Sequence, residues 1–276
     1  MGLVMAKQCK YVPPVEVEPI VTDVDNMRIV VVGLGGVGSV VARYLAIYLA
    51  HKGYGCSAQP TEICLVDGDS YEEKNMERMA VPNFGNKAEA MQMELKNLTA
   101  ETECKVSIYP SYITPKNIDE MIGEEDVVML CVDNHKTRKQ VSDHMAKLDN
   151  ACLISGGNDG VGIVQGQYQR GTWGNVQIHL RSEGEDETPP IDHYHPEIKH
   201  PRDMNPKERE EALACGDAVA AGIPQVMFTN LATASTMLNA FFLYASGELA
   251  YSEACFDVET GKATPVDVPW EKKKTA

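Results

Sequence analysis

The sequence predicts an α/β fold: a doubly wound, mostly parallel sheet with an antiparallel C-terminal extension. Three observations lead there. The runs Arg28–Val32 (RIVVV), Glu62–Val66 (EICLV) and Asp126–Val132 (DVVMLCV) have the continuous apolar character of strands buried on both faces. Stretches of helical composition alternate with them. A glycine-rich turn, Gly33-Leu-Gly-Gly-Val-Gly38, joins the first strand to the first helix. The 276 residues are enough for one large domain or two small ones, and 43% apolar with 24% charged residues excludes wholesale disorder.

Local pattern justifies each element. Residues 1–26 carry Pro13, Pro14 and Pro19 among alternating Val and Glu, which reads as an extended arm. Val40–Leu49 is apolar and free of Pro and Gly, hence a helix. Ala88–Leu98 and Lys136–Leu148 are further helices, and Lys105–Tyr109 an alternating strand. Cys152–Ser155 is a short strand before a Gly-rich turn. Val161–Tyr168 and Val176–Leu180 are antiparallel strands. Residues 181–214, with several prolines, an acidic patch (Glu183, Glu185, Asp186, Glu187) and the stretch DHYHPEIKH, read as a long crossover loop without regular structure. Gly216–Gly247 is a helix, and Tyr251–Val258 with Thr264–Val268 a closing hairpin. With no repeat and no low-complexity linker, residues 27–276 are expected to form a single domain.

Composition removes several function classes. With 25 basic and 40 acidic residues the net charge is −15, which repels nucleic acid and anionic membranes. The run Lys272–Lys274 is a solvated tail. The eight cysteines include no C-x-x-C pair, so no structural zinc is expected. Cys64, Cys131 and Cys152 lie in apolar runs, as free thiols in a reducing cytoplasm do, and the N-terminus lacks an apolar core long enough for a signal peptide. Ala218–Gly247 carries no charge and is long enough to span a bilayer. Its Gln, Asn, Thr and Ser content argues instead for a core or dimer-interface helix. His193, His195 and His200, scattered on a Pro-rich acidic loop, are expected to be solvated.

The glycines at 33, 35, 36 and 38 sit between a strand and a helix. Glycine there permits a tight turn and close approach of backbone N–H groups to phosphate, and the helix N-terminus adds positive potential. Asp67, ending the second strand, is placed to accept ribose hydroxyls. These features predict a Rossmann-like nucleotide-binding domain without separating NAD from ATP. The residues after Asp67 do separate them. Asp67-Gly-Asp69 leads into Asn75-Met-Glu-Arg78 and then Gly85-Asn-Lys87-Ala88. Cations close to a ribose carboxylate suit chemistry on a triphosphate, and hydride transfer does not need them. Asp133, just past a strand's C-terminal end, is placed to hold Mg²⁺. Asp69 is either a ligand or a turn residue, Asn134 caps the next helix, and Arg138 either orients Asp133 or faces water.

The series GxGGVGS at 33–39, LVDGD at 65–69, N-x-x-R at 75–78, G-x-K-A at 85–88 and C-x-D-N-x-x-x-R at 131–138 resembles the E1-like, ThiF/MoeB-type activating enzymes. The stretch His51–Pro60 is similar, more loosely, to ThiF-family proteins encoded with plasmid PRTRC systems. The resemblance implies ATP- and Mg²⁺-dependent adenylation of the C-terminal carboxylate of a small ubiquitin-like or sulfur-carrier β-grasp protein, by a homodimer. It implies that Asp67 holds the ribose, Asn75, Arg78 and Lys87 the phosphates, and Asp133 the Mg²⁺. Ala214–Pro224 resembles the family segment C-x-x-A-G-V-x-x-P, so Cys215 joins Arg78, Lys87 and Asp133 as a candidate catalytic residue. In some members this Cys carries an acyl-persulfide or thioester, whereas others keep it and only adenylate. A helix N-terminus favours its thiolate and Asp217 opposes it.

Two departures stand out. The family's zinc-binding C-x-x-C pairs are missing. Many members also supply an Arg to the partner's ATP from an N-terminal helix, whereas residues 1–26 contain no Arg, and Lys7 or Lys10 would lack its bidentate fork. The sequence therefore leaves three readings: adenylation of a carrier protein, activation of a small-molecule or peptide carboxylate, or a non-catalytic nucleotide-binding subunit. An NAD-dependent oxidoreductase ranks last.

Overall fold

The computed structural model describes Val24 and residues 26–52, 61–164, 167–202 and 216–266. The extended arm (but for Val24 and Asn26), most of the His51–Pro60 insertion, residues 203–214, Cys215 and the lysine tail lie outside the described residues.

The chain runs β1 (Arg28–Val32), α1 (Gly38–Lys52), β2 (Glu62–Val66), β3 (Ser70–Tyr71), a 3-10 turn (Glu73–Glu77), β4 (Gly85–Asn86), α2 (Lys87–Leu98) and β5 (Lys105–Tyr109). It continues through α3 (Ile118–Met121), β6 (Val127–Leu130), α4 (His135–Met145), β7 (Ala151–Asn158), β8 (Val161–Val164), β9 (Gln167–Arg170) and β10 (Trp173–Ser182). Then come β11 (Glu185–Asp186), α5 (Pro196–Lys199), α6 (Gly216–Ala245), β12 (Glu253–Asp257) and β13 (Lys262–Val266). The main sheet has the order β13-β12-β10-β7-β6-β1-β2-β5, with β11 paired to β10. From β7 to β5 the pairing is parallel, and beyond β7 it is antiparallel.

The apolar runs alternate by parity, as a strand covered on both sides requires. Ile29 and Val31 of β1, with Ile63 and Leu65 of β2, join Leu45 and Leu49 of α1, Met91 and Leu95 of α2, and Met237 and Phe241 of α6. Val30, Val32, Cys64 and Val66 join Ile118 and Met121 of α3 and Val141 and Met145 of α4 on the opposite face. Each such fully buried side chain contributes about 1.5–3 kcal/mol of transfer free energy.

Helix α6 is the element whose composition suits both a core and a membrane. Val226–Ala245 is long and apolar enough to cross a bilayer by length and composition. Here Ala234, Met237, Ala240 and Phe241 lie in the core with β7 and α1. Gly156 of β7 admits it: a Cβ there would meet the Met237 sulfur at 2.2 Å.

Three expectations are corrected. Val161–Tyr168 is not one strand but most of a separate two-stranded hairpin, β8–β9, turned away from the main sheet. Residues 181–214 are not without regular structure. β10 extends to Ser182, β11 folds back on it, and α5 covers Pro196–Lys199. The physical reason is Asp186, which accepts from Arg181 and lies 2.8 Å from His179 Nε2, so part of the acidic patch is tied to the sheet. His195 is not solvated. Its Nδ1 is 2.9 Å from Glu197 and its Nε2 is 3.0 Å from Glu253 of β12. Burial opposes its charge, but the two carboxylates outweigh that and raise its pKa.

Candidate functional site

Chain order places β1 between β2 and β6, with the path running outward to β5 on one side and to β7 on the other. That reversal opens a crevice at the C-terminal strand edge, where open α/β sheets bind ligands. Hydrogen bonds past the strand ends hold three loops side by side there: Gly33 N to Val66 O at 2.9 Å, Asp67 N to Tyr109 O at 3.3 Å, and Cys131 N to Val32 O at 2.8 Å.

The glycines have distinct jobs. Gly33 has φ +87°, and a Cβ on Gly38 would lie 1.8 Å from the Gly33 carbonyl oxygen, so both are required by the turn itself. A Cβ on Gly36 would meet Asn230 of α6 at 2.2 Å. Gly35 alone of the four faces open space, with nothing within 4 Å of where its Cβ would be. Among the described residues the amides of Gly35, Gly36, Val37 and Gly38 donate to no acceptor. They are the orphan donors of the α1 N-terminus, a receptive place for an anion.

Asp67 is 9% exposed and ties this loop down. Its Oδ2 accepts from Leu34 N at 2.6 Å and its Oδ1 from Asp69 N at 2.8 Å. A carboxylate has roughly four acceptor sites, so capacity for ribose hydroxyls is left. Burial raises its pKa, and Lys87 counters that in part. Tyr71 donates to Leu34 O at 2.6 Å, fixing the loop from the other side.

Lys87 opens α2. Its Nζ is 3.3 Å from Asp69 and 4.0 Å from Asp67, and lies over the Tyr71 ring at 5.9 Å. Asn86 places it. The Asn86 oxygen accepts from Ala88 N and Glu89 N, and its amide nitrogen donates to Asp67 O at 3.1 Å and Asp69 O at 3.3 Å. Asp69 also accepts from the Tyr112 hydroxyl. Burial works against the Asp69 charge, but Tyr112 and Lys87 outweigh it and lower its pKa. The same bond pushes the Tyr112 phenol up to about 12.

Asn75 is buried, and its oxygen accepts from Glu72 N at 2.8 Å. It braces the 3-10 turn, and its amide nitrogen donates to no acceptor among the described residues. Arg78 caps that turn and is exposed; its backbone N–H donates to Asn75 O at 3.2 Å, while its side chain makes no hydrogen bond or ion pair among the described residues. Asp133 is also exposed and unpaired among the described residues. It lies two residues past Cys131, whose carbonyl oxygen is 3.1 Å from where a Gly33 Cβ would be. Asn134 caps α4 through Thr137 N at 2.8 Å. Arg138 neither faces water nor bonds Asp133. It is buried, donating to Val132 O at 2.8 Å, Gly156 O at 2.6 Å and Ser155 Oγ at 2.6 Å. It holds the backbone on which Asp133 stands. Cys215 lies outside the described residues.

The structure thus gathers Gly33, Gly35, Gly36, Gly38, Asp67, Asp69 and Lys87 directly and sets Asp133 on the neighbouring loop, while Asn75 and Arg78 share the 3-10 turn through a backbone hydrogen bond. Tyr71, Asn86, Tyr112 and Asn230 are additions that sequence reasoning misses. Asn86 has a signal, the Asn-x-x-Glu spacing of a helix start. Tyr112 and Asn230 have none, being far from the loop in sequence.

Asp133 is of the donor type that holds Mg²⁺, which binds through one or two carboxylates together with phosphate and water. The orphan amides and the open space at Gly35 are of the kind a nucleotide's phosphates fill.

The fold and this edge define a Rossmann-like α/β protein with an anion-receptive glycine loop at its switch point. The profile of the ThiF family matches residues 8–248, and the chain belongs to that family. It is 30% identical over 135 residues to the adenylyltransferase and sulfurtransferase MOCS3 of Drosophila virilis, a match covering 48% of this chain and 27% of that protein. The chain therefore spans about a quarter of the curated relatives it matches. Among solved structures, E. coli MccB with MccA-N7isoASN superposes with a TM-score of 0.58 at 16% identity, covering 88% of this chain and 65% of that one. E. coli MccB with ATP gives a TM-score of 0.54 at 17% identity, covering 88% and 64%. At such identities the likeness is one of fold.

Proposed function

We propose that this chain binds ATP with Mg²⁺ at the Gly33–Gly38 loop and adenylates the C-terminal carboxylate of a small ubiquitin-like or sulfur-carrier protein. The observation that carries the reading is the convergence, at one sheet edge, of orphan loop amides with Asp67, Lys87 and an unpaired Asp133. The family and the adenylyltransferase activity in the name of the MOCS3 relative point the same way.

In this reading a carboxylate oxygen attacks the α-phosphorus. A bond forms between them, the bond from the α-phosphorus to the bridging oxygen breaks, and pyrophosphate leaves. No general base is required, because the attacking carboxylate is already ionised. Asp67 accepts the ribose hydroxyls. The loop amides and Lys87 stabilise charge on the phosphates, with Lys87 exchanging part of its hold on Asp69 for phosphate. Arg78 adds a second cation. Asp133 would hold Mg²⁺, which neutralises phosphate charge when bound. The chain works as a homodimer in a reducing cytoplasm, a placement supported by the free thiols Cys64, Cys104, Cys131, Cys152 and Cys255.

The test is ATP–pyrophosphate exchange with a candidate carrier, alongside calorimetry with ATP–Mg²⁺. Exchange that depends on the carrier and is lost in Asp133→Ala supports the reading. Exchange driven instead by a short peptide would move the substrate to that class, which the fold likeness to MccB solved with MccA favours as second choice. ATP binding without any exchange would mark a non-catalytic subunit.

A further inference from the structure

Among its described side chains, helix α6 buries Thr229, Asn230 and Thr233 and half-buries Thr236, and the threonine hydroxyls find partners. Thr229 Oγ1 donates to Gly171 O at 2.5 Å, Thr233 Oγ1 to Thr229 O at 2.9 Å and Thr236 Oγ1 to Ala232 O at 2.9 Å. Asn230 is the exception. It is 9% exposed, and among the described residues its carboxamide makes no hydrogen bond. Its Oδ1 and Nδ2 are not among the fully buried polar atoms, so the carboxamide keeps access to solvent, and no described hydrogen bond accounts for its place.

Its position supplies a reason. Asn230 Nδ2 is aimed at the glycine loop, 2.2 Å from where a Cβ on Gly36 would stand. Glycine at 36 is what lets the carboxamide approach. The side chain brings another donor to a place where the amides of Gly35, Gly36, Val37 and Gly38 already lack acceptors. N–H groups gathered round a point with nothing to accept them make a receptor for an anion.

We infer that Asn230 is a nucleotide-binding residue: its carboxamide donates to a phosphate oxygen of ATP held on the Gly33–Gly38 loop. This rests on the proposal that the loop binds ATP. It adds to that reading a contact from α6, which lies nearly two hundred residues along the chain from the loop. The contact also makes phosphate occupancy felt by the helix that packs on β7 and α1.

The experiment compares wild type, Asn230→Ala and Asn230→Asp by calorimetry with ATP–Mg²⁺ and, separately, adenosine, with melting temperatures for all three. The expected result is ATP–Mg²⁺ binding weakened about 10- to 100-fold by Ala, as for a lost hydrogen bond to a charged group. Asp, which sets a negative charge against the phosphate, weakens it further. Adenosine binding is unchanged, and Asn230→Ala melts no lower than wild type, since no partner is lost. Asn230→Ala binding ATP as wild type does overturns the inference while leaving the ATP site intact. Equal loss for ATP and adenosine, or a lowered melting temperature with ATP affinity kept, also overturns it, because both signal a structural role. Wild type binding ATP–Mg²⁺ no more tightly than adenosine overturns the inference together with the reading beneath it.

Discussion

The antiparallel side of the sheet and the glycine-loop edge dispose their polar groups differently, although the parallel half also holds ion pairs such as Arg28–Asp126 and Lys87–Asp69. On the antiparallel side, beyond β7, buried titratable groups are paired. His179 lies against Asp186, Arg181 bonds Asp186 and the Leu148 carbonyl, and His195 sits between Glu197 and Glu253. On the parallel side, at the edge after β1, β2 and β6, groups are left open. Among the described residues the loop amides lack acceptors, Asn230 lacks a partner, and Asp133 and Arg78 carry unpaired charges. Both regions are polar and both contain residues that look chemically capable in sequence. The contrast is one of access: Gln177 Oε1, His179 Nδ1 and Ser252 Oγ are closed off without a hydrogen-bond partner on the antiparallel side, whereas the groups gathered at the loop edge keep access to solvent, which supports the proposed ligand site there.

The sharpest way to break the comparison uses the glycine loop. Gly38→Ala forces a Cβ against a backbone oxygen that cannot move aside, and should cost about 3 kcal/mol or more in chemical denaturation. Gly35→Ala meets only open space, so stability should hold within about 0.5 kcal/mol. Its methyl group would stand in the phosphate cleft and weaken ATP–Mg²⁺ binding about tenfold by calorimetry. Equal destabilisation by the two substitutions would remove the distinction between a structural and a receptive glycine.

Next come the arginines. Arg138→Met leaves two carbonyls and the Ser155 hydroxyl without their donor, and should destabilise by about 3 kcal/mol. Arg78→Ala should leave the melting temperature unchanged and slow pyrophosphate exchange about 10²- to 10³-fold. Asp133→Ala should behave like Arg78→Ala: folded, and slower by a similar factor. If Arg78→Ala exchanges normally, its exposed side chain is a surface charge.

The smallest effect concerns pH on the paired side. The folded pKa of His195 is raised above the ordinary 6.5. Its contribution to stability is therefore fully present below that ordinary value and lost as pH rises through the raised one. Melting temperatures between about pH 5.5 and about pH 9 should fall more for wild type than for His195→Gln. Identical profiles would mean that Glu253 and Glu197 do not hold the imidazolium.

How far the sequence reaches can be traced through individual residues. Strands β1, β2 and β5 have the limits their patterns predict, because a run of β-branched and apolar residues between polar breaks is a local signal. The Asn134 cap is legible for the same reason. Val161–Tyr168 departs from its pattern because hydrophobic alternation does not report which sheet a strand joins. His195 looks solvated in sequence because its partner Glu253 comes from another part of the chain. Arg138 does not face water, and it acts on Asp133 through the Val132 carbonyl rather than by a direct bond, a contact that no sequence displays.

Local chemistry along the chain thus decided the α/β class, the glycine turn with its acidic and basic followers, and membership in a family. These depend on spacing within some ten residues, where covalent geometry and side-chain period leave few choices. Folding decided which polar groups are spent and which are free: that the Asn75 oxygen accepts from Glu72 N, that Tyr112 reaches Asp69, and that Asn230 arrives at Gly36 with no hydrogen-bond partner among the described residues. Whether a donor is satisfied depends on the acceptors within about 3 Å, and those are brought there only when distant segments pack.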